Sequence, residues 1–118
     1  MNALPLDFLN QLVPLSDVLK VRLNSILVSE AYKKKSFLLK EGQVCNRICF
    51  IEKGLIRIYY MKDGAEVCSG LLCEGGMAIA VKSFFKRELS DEFMQAIEDT
   101  IVHYITYDEL EALYRDFP

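Results

Sequence analysis

The sequence predicts a mainly β domain with flanking helices, arranged as a double-stranded β-helix or jelly roll. The first indication is the spacing of Gly42, Gly54, Gly64 and Gly75, which separate short apolar runs. The second is that β-prone segments alternate with turn signals about every 8–12 residues, which is typical of sandwiches and barrels. Because glycine supplies the positive φ that tight turns require, its recurrence at predicted strand ends has a backbone cause.

Helices are predicted on both sides of the roll, over residues 1–30 and 107–118. The first segment holds a short helical turn around Phe8 and a helix over 17–28, whose apolar residues recur on one face. The second begins at Thr106-x-x-Glu109, which is a capping box. We expect all 118 residues to form one domain, because this length buries about two-thirds of the unfolded surface.

The β-roll is assigned to residues 31–106. Asp63-Gly64 predicts a tight hairpin between two of its strands. The segment 77–86 is ambiguous, and Gly75-Gly76 before it reads as a turn. The short apolar or alternating stretches predict strands over 36–40, 47–53, 55–61, 65–73, 93–98 and 101–106.

Charge is distributed unevenly along the chain. Residues 1–87 carry 13 Lys and Arg against 8 Asp and Glu, whereas residues 88–118 carry one Arg against 9 acids. The C-terminal third is therefore a poor nucleic-acid surface. The run Lys33-Lys34-Lys35 is expected to be solvated on a strand, where lysines oppose edge-to-edge pairing.

Hydropathy gives no membrane or export signal. The 52% of hydrophobic residues fall in short runs, none near the ~18 residues that cross a bilayer. No basic residue precedes the first apolar stretch, so neither a secretion signal nor a transit peptide is expected. We therefore expect a cytoplasmic protein with no membrane partner.

The four cysteines, Cys45, Cys49, Cys68 and Cys73, contain no CxxC pair of the kind that zinc sites favour. Residues five apart on a strand point to opposite faces, so Cys68 and Cys73 should diverge. We expect free thiols that act as small core hydrophobes in a reducing cytosol, with no metal and no cofactor.

An ordered set of motifs resembles the cyclic-nucleotide-binding domain of Crp/Fnr-type bacterial transcription regulators, over about residues 16–118. The motifs are LLKEG, FIEKGLIRIYY, KDG, EGG and TYDELEALYRDFP. The resemblance implies a small-molecule effector held by a cassette segment, residues 77–92. It also implies a dimerisation helix and a DNA-reading helix-turn-helix beyond Pro118, so we expect this chain to be the sensor part of a longer, homodimeric regulator.

The same resemblance identifies the ligand positions, and the polar groups are missing from them. The ungapped run from Glu74 to Asp99 places the family's Gly-Glu pair on Ile79-Ala80 and its phosphate-binding arginine on Ser90. Because each hydrogen bond to a charged group contributes ~1.5–3 kcal/mol, we expect cAMP not to be the effector. The pocket-equivalent positions are Arg57, Ile58, Gly70, Gly75, Ile79, Ala80, Lys82, Ser90 and Asp91.

Nearby cations offer a partial substitute for the lost arginine. Lys82, Lys86 and Arg87 follow the Ile79-Ala80 pair, and Arg57 lies between Ile56 and Ile58 on a predicted strand. A solvent-facing charge is the simpler interpretation for each of them.

An enzymatic role has little support in the sequence. His103 is the only histidine, too few for the multi-histidine centre of cupins, and is expected to bond to a backbone carbonyl or to solvent. No Ser/His/Asp arrangement and no phosphate-binding glycine loop is present, so no catalytic residue is predicted. The sequence thus favours an effector-sensing domain that does not respond to cAMP. A ligand-free interaction scaffold is the first alternative, and a cupin-like metalloprotein is the second.

Overall fold

A computed structural model describes residues 17–116, which form three helices and eight strands. The elements in chain order are α1 (Asp17–Ile26), β1 (Val28–Tyr32), β2 (Phe37–Leu39), β3 (Arg47–Lys53), β4 (Ile56–Lys62), β5 (Ala65–Leu72), β6 (Met77–Ala78), α2 (Val81–Lys86), β7 (Phe93–Ala96), β8 (Thr100–Thr106) and α3 (Tyr107–Asp116). The predicted turn around Phe8 and the residues near Pro118 lie outside the described part.

Two four-stranded antiparallel sheets make up the roll. Their strand orders are β1-β8-β3-β6 and β2-β7-β4-β5, so the predicted jelly roll is confirmed. The core includes Ile51, Ile56 and Val102, which have no exposed surface. Leu23 of α1 and Leu113 of α3 belong to the same apolar cluster, so the helices extend the core outside the sheets.

The predicted boundary between helix and roll is wrong. The first described helix ends at Ile26, and the roll begins at Val28 with β1 rather than at residue 31. This strand lies at a sheet edge, paired only with β8, and its first two residues are exposed. Edge strands need no strict apolar alternation, which is why the pattern did not reveal it.

The ambiguous segment 77–86 contains both a strand and a helix. The two-residue strand β6 pairs with β3 through Ala78 and Met77, and the six-residue helix α2 follows. Both elements are too short for a periodic pattern to identify them.

The lysine run lies in a turn rather than on a strand. Lys35 has φ +73°, and its N–H donates to the carbonyl of Ala96 at 2.8 Å. The N–H of Lys34 donates to the Asp99 carboxylate at 2.9 Å. These bonds hold a left-handed residue in the β1–β2 connection, a conformation that three consecutive lysines do not predict.

Two local motifs are confirmed in detail. Asp63 and Gly64 both have positive φ, at 54° and 80°, in the β4–β5 hairpin. The Thr106 hydroxyl accepts from the N–H of Glu109 at 3.3 Å, and the Glu109 carboxylate accepts from the N–H of Thr106 at 3.0 Å. This reciprocal pair is the capping box that begins α3.

The cysteine prediction is half right. Cys45 and Cys49 are buried, whereas Cys68 and Cys73 are exposed, because β5 is the outer strand of its sheet and Cys73 follows it.

His103 has a partner that the sequence did not predict. This histidine is buried, and its Nε2 lies 2.6 Å from the Glu52 carboxylate on the neighbouring strand β3.

Gly54 is required where the β3–β4 turn passes Thr100. Its φ is +117°, and an added Cβ would lie 2.3 Å from Thr100 Oγ1 and 2.7 Å from Thr100 Cα. We expect Gly54→Ala to lower the free energy of unfolding by about 2–4 kcal/mol, from backbone strain and overlap together. Gly42→Ala is the matched control, since Gly42 also has positive φ but has no atom within 4 Å of an added Cβ. Urea unfolding that gave equal losses for the two variants would contradict this account.

Candidate functional site

The cassette segment, residues 77–92, consists of β6, a bend, α2 and a return stretch. Ala80 precedes α2 in an extended conformation, with φ −92° and ψ 93°, and its carbonyl accepts from the N–H of Phe84 at 2.8 Å. The helix ends at Arg87, which has the left-handed φ of 58°. The segment therefore makes a single compact excursion from the sheet.

Backbone bonds fasten the end of this excursion to the loop 40–46. The N–H of Ser90 donates to the carbonyl of Gln43 at 2.7 Å, and the N–H of Gly42 donates to the carbonyl of Ser90 at 2.8 Å. Leu89 forms an isolated antiparallel bridge with Val44. The cassette is thus tied to the roll by main-chain contacts.

Three positions that the resemblance assigns to ligand binding, Ile79, Ala80 and Ser90, are buried or half-buried. Ala80 is 3% exposed and Ser90 is 5% exposed. The Ser90 hydroxyl accepts from the N–H of Glu92 and lies 3.0 Å from the carbonyl of the same residue, so it is used locally. Ile79 packs against the apolar core. Ile79 and Ala80 carry no polar side-chain group, and the hydroxyl of Ser90 is already bonded within its own turn.

A cavity of about 50 Å³ lies among Ala80, Ser83 and Ser90. That volume holds roughly three or four water molecules. Its one lysine, Lys82, lies 3.8 Å from the Glu88 carboxylate, and Asp91 and Glu92 add two acidic groups to the lining. Negative charge around a cavity of this size disfavours an anionic ligand.

Four of the nine predicted positions therefore meet at this cavity: Ala80, Lys82, Ser90 and Asp91. Arg57 lies elsewhere, since it donates to Gln95 at 2.8 and 3.0 Å and to Glu66 at 3.0 Å. It lines a separate cleft with Lys34 and Lys35. The structure does not bring this arginine to the cassette.

Ile79 was described above. The three other predicted positions, Ile58, Gly70 and Gly75, lie in the sheets and their turns. Ile58 packs against the core and pairs with Gly70 across β4 and β5. Gly75 has φ +83°, and its N–H donates to the carbonyl of Ile51 at 2.9 Å. The predicted turn before the cassette is thus confirmed.

Ser83 is a cassette residue that the sequence analysis missed. It is buried, and its hydroxyl accepts from the N–H of Cys45 at 2.8 Å and donates to the carbonyl of Glu88 at 2.6 Å. One hydroxyl therefore satisfies two backbone groups, one on each side of the contact between α2 and the loop 40–46.

Arg87 makes the second set of contacts while remaining an exposed residue, in line with its interpretation as a solvent-facing charge. Its guanidinium donates to the carbonyls of Cys45 and Phe84 at 3.1 Å and to the Asn46 side chain at 3.0 Å. The same group stacks on the ring of Tyr107 at 4.0 Å. We call the contacts that Ser83 and Arg87 make with Cys45, Asn46 and Tyr107 the cassette clamp.

No local pattern indicates the clamp. The partners of Ser83 and Arg87 lie 38 and 42 residues away along the chain. The available signal was indirect: the predicted α3 begins with an aromatic residue, Tyr107, and aromatic faces attract guanidinium groups.

Two features are not found in the described residues. No cluster of three or more His, Cys, Asp or Glu side chains is arranged to hold a metal ion within residues 17–116. No helix in that same range combines the length and apolar character needed to span a bilayer.

Comparison with solved structures shows the same fold. The catabolite activator protein of Thermus thermophilus matches 90% of this chain at 19% identity with a TM-score of 0.78, and this chain covers 50% of its length. The regulatory subunit of a cAMP-independent protein kinase A from Trypanosoma cruzi, bound to guanosine, matches 91% at 17% identity with a TM-score of 0.79, over 39% of that chain.

A third match is an EAL enzyme, Bd1971, in a half-site-occupied form. It aligns with 75% of this chain at 25% identity with a TM-score of 0.64, over 78% of that chain. The sequence thus spans half or less of the first two proteins, and the fold occurs in regulators as well as beside enzymatic domains. No curated protein sequence matches this chain significantly.

The family assignment follows from the sequence model that matches. The model of the cyclic nucleotide-binding domain aligns with residues 29–117, from the second residue of β1 through α3. This range contains both sheets and the whole cassette segment, and it covers three quarters of the chain. The chain belongs to the cyclic nucleotide-binding domain family and is similar to the Crp/Fnr regulators.

Proposed function

We propose that this chain is the effector-sensing domain of a Crp/Fnr-type transcription regulator and that its effector is not a cyclic nucleotide. The observation that carries this proposal is the cassette cavity of about 50 Å³, with Ala80 and Ser90 where the family places its acidic residue and arginine. A cyclic nucleotide needs a partner for its phosphate and its ribose hydroxyl, and these positions supply neither.

The clamp explains how a cassette without ligand contacts stays ordered. Arg87 and Ser83 tie α2 to Cys45, and Tyr107 links this junction to the start of α3. In a longer chain, α3 would lead into the dimerisation helix, so a shift of α2 would move that helix. We propose a cytoplasmic homodimer in which this linkage carries the signal to a helix-turn-helix.

An interaction scaffold is the competing function. A cassette held by its own contacts suits a domain that binds no ligand at all, and the exposed side chains of Val81, Phe85 and Leu89 offer an apolar surface beside it. The two functions differ in whether a small molecule alters DNA binding by the longer protein.

The first prediction from this proposed function concerns the ligand. We expect calorimetry to show no binding of cAMP or cGMP to residues 1–118 in the low micromolar range. The triple variant Ile79→Gly, Ala80→Glu, Ser90→Arg should bind cAMP at least about tenfold more tightly than the natural chain, since it restores charge-assisted bonds. Low-micromolar binding by the natural chain would contradict the proposal.

A matched control isolates the contribution of the positive charge at position 90. The variant with Ser90→Gln in place of Ser90→Arg has a long polar side chain without the positive charge, and it should gain little affinity. Circular dichroism and thermal unfolding must show that each variant is folded. If the folded triple variant gains nothing, the correspondence of positions in the cassette is wrong. Guanosine belongs in the same titration, because it separates loss of phosphate recognition from loss of the whole pocket.

The second prediction concerns DNA. Residues 1–118 alone should show no specific binding, since their C-terminal third is acidic and counterion release requires a basic patch. A longer native chain that carries a helix-turn-helix should bind a palindromic site as a dimer, with half-sites about one helical turn apart. Anisotropy titrations of both chains on the promoter of the native gene measure this. Specific binding by the short chain would contradict the sensor assignment, and failure of the folded long dimer on every promoter would favour the scaffold.

A further inference from the structure

We infer that a second cavity, between the two sheets and against Cys45, binds a small, uncharged, mainly apolar molecule, and that its occupancy repositions the cassette helix α2. This inference rests on the sensor function proposed above and assigns its ligand to a different place from the family's cassette pocket.

The cavity has a volume of about 240 Å³, several times that of the cassette cavity. A cavity of about 150 Å³ admits benzene, so this one accommodates roughly ten non-hydrogen atoms. It is lined by β2 and β7 of one sheet, by β3 and β6 of the other, and by the loop 40–46. The space therefore lies between the sheets.

The lining is mostly apolar. Leu39 and Met94 come from one sheet, and Ala78 and Cys49 come from the other, where they are register partners. All four are buried. A mainly apolar wall with a few polar groups is the usual character of a small-molecule site.

The charge of the lining favours a neutral ligand. Burial raises the pKa of the Cys49 thiol to about 12, so this group stays protonated at neutral pH. The guanidinium of Arg47 at the edge of the cavity is paired with Glu30 at 3.0 Å and lies over the Tyr104 ring. With the thiol neutral and the cation paired, an anion or a hard cation finds no uncompensated counter-charge here.

Two amides define where a polar atom of the ligand would lie. The side-chain oxygens of Gln43 and Asn46 accept from the N–H of Lys40 at 2.8 Å and from Arg87 at 3.0 Å. Their NH₂ groups can donate to one or two acceptor atoms. The ligand class is thus an apolar ring or chain with at most a small polar substituent.

Cys45 couples this cavity to the cassette. Cys45 is one of the lining residues, while its N–H donates to Ser83 and its carbonyl accepts from Arg87. A molecule that displaces Cys45 would alter these bonds, which are part of the cassette clamp. A ligand shifts a conformational equilibrium only through such a differential contact.

The test uses indole as the probe, with residues 1–118 labelled with ¹⁵N. We expect saturable binding, with amide shift changes at Ala78 and Met94 in the wall and at Ser83, Phe84 and Arg87 in the cassette. The double variant Cys49→Leu, Ala78→Leu fills about half of the space and should weaken binding at least about tenfold. Cys68→Leu is the matched control, because it makes the same change at an exposed cysteine and should bind as the natural chain does.

A second variant tests the coupling and covers the case in which the filled variant does not fold. Ser83→Ala removes the acceptor for Cys45 without changing the wall, so indole should still bind while the shift changes in α2 decrease at least about twofold. Absence of saturable binding up to the solubility limit overturns the inference. The inference is also overturned if the folded Cys49→Leu, Ala78→Leu variant binds indole as tightly as the natural chain does. Shift changes that are confined to the wall in the natural chain overturn it as well.

Failure of this inference is distinguishable from failure of the sensor function. A ligand that alters DNA binding by the longer chain but shifts Lys82 and Asp91 rather than Ala78 and Met94 would place the effector at the cassette. The sensor function would then stand and the second cavity would not be its site. If no small molecule alters DNA binding, the sensor function itself fails.

Discussion

The guanidinium of Arg87 joins the end of the cassette helix α2 to the loop before β3 and to the start of α3. A six-residue helix has almost no stability of its own, because helix nucleation is unfavourable and few backbone bonds follow it. Arg87 donates to two carbonyls and one amide oxygen and stacks on Tyr107. These contacts, together with the hydroxyl of Ser83, hold α2 against the loop 40–46 and the start of α3.

Under the function proposed above, this arrangement lets the family's fold persist without the family's ligand contacts. In a cassette that has the family's arginine, the charges of that arginine and of a bound phosphate would compensate each other. Here Ser90 bonds to Glu92 within its own turn, and Ala80 presents only a methyl group. The backbone bonds of Gly42, Gln43 and Ser90 keep the segment against the loop 40–46.

Sequence reasoning succeeded where structure is decided locally. The turn at Asp63-Gly64 and the capping box of Thr106 and Glu109 depend on neighbouring residues, so their patterns were sufficient. It failed where partners are distant or elements are short. The edge strand β1 is stabilised by pairing with β8, and the left-handed Lys35 is held by Ala96. In the candidate site, the clamp joins residues 38 and 42 positions apart along the chain, so no local pattern indicated it. The correspondence of the cassette positions with the family's ligand positions stays a prediction.

Hydrogen exchange of the ligand-free chain tests most directly whether the cassette is held by the protein itself. The N–H of Phe84, inside α2, and the N–H of Cys45, bonded to Ser83, report on the clamp, and that of Ile51 reports on the core. We predict that Phe84 and Cys45 exchange within about tenfold of Ile51, and that Arg87→Ala accelerates both at least about tenfold while Ile51 is unaffected. Exchange of Phe84 and Cys45 near the rate of an unfolded peptide in the natural chain would contradict the account.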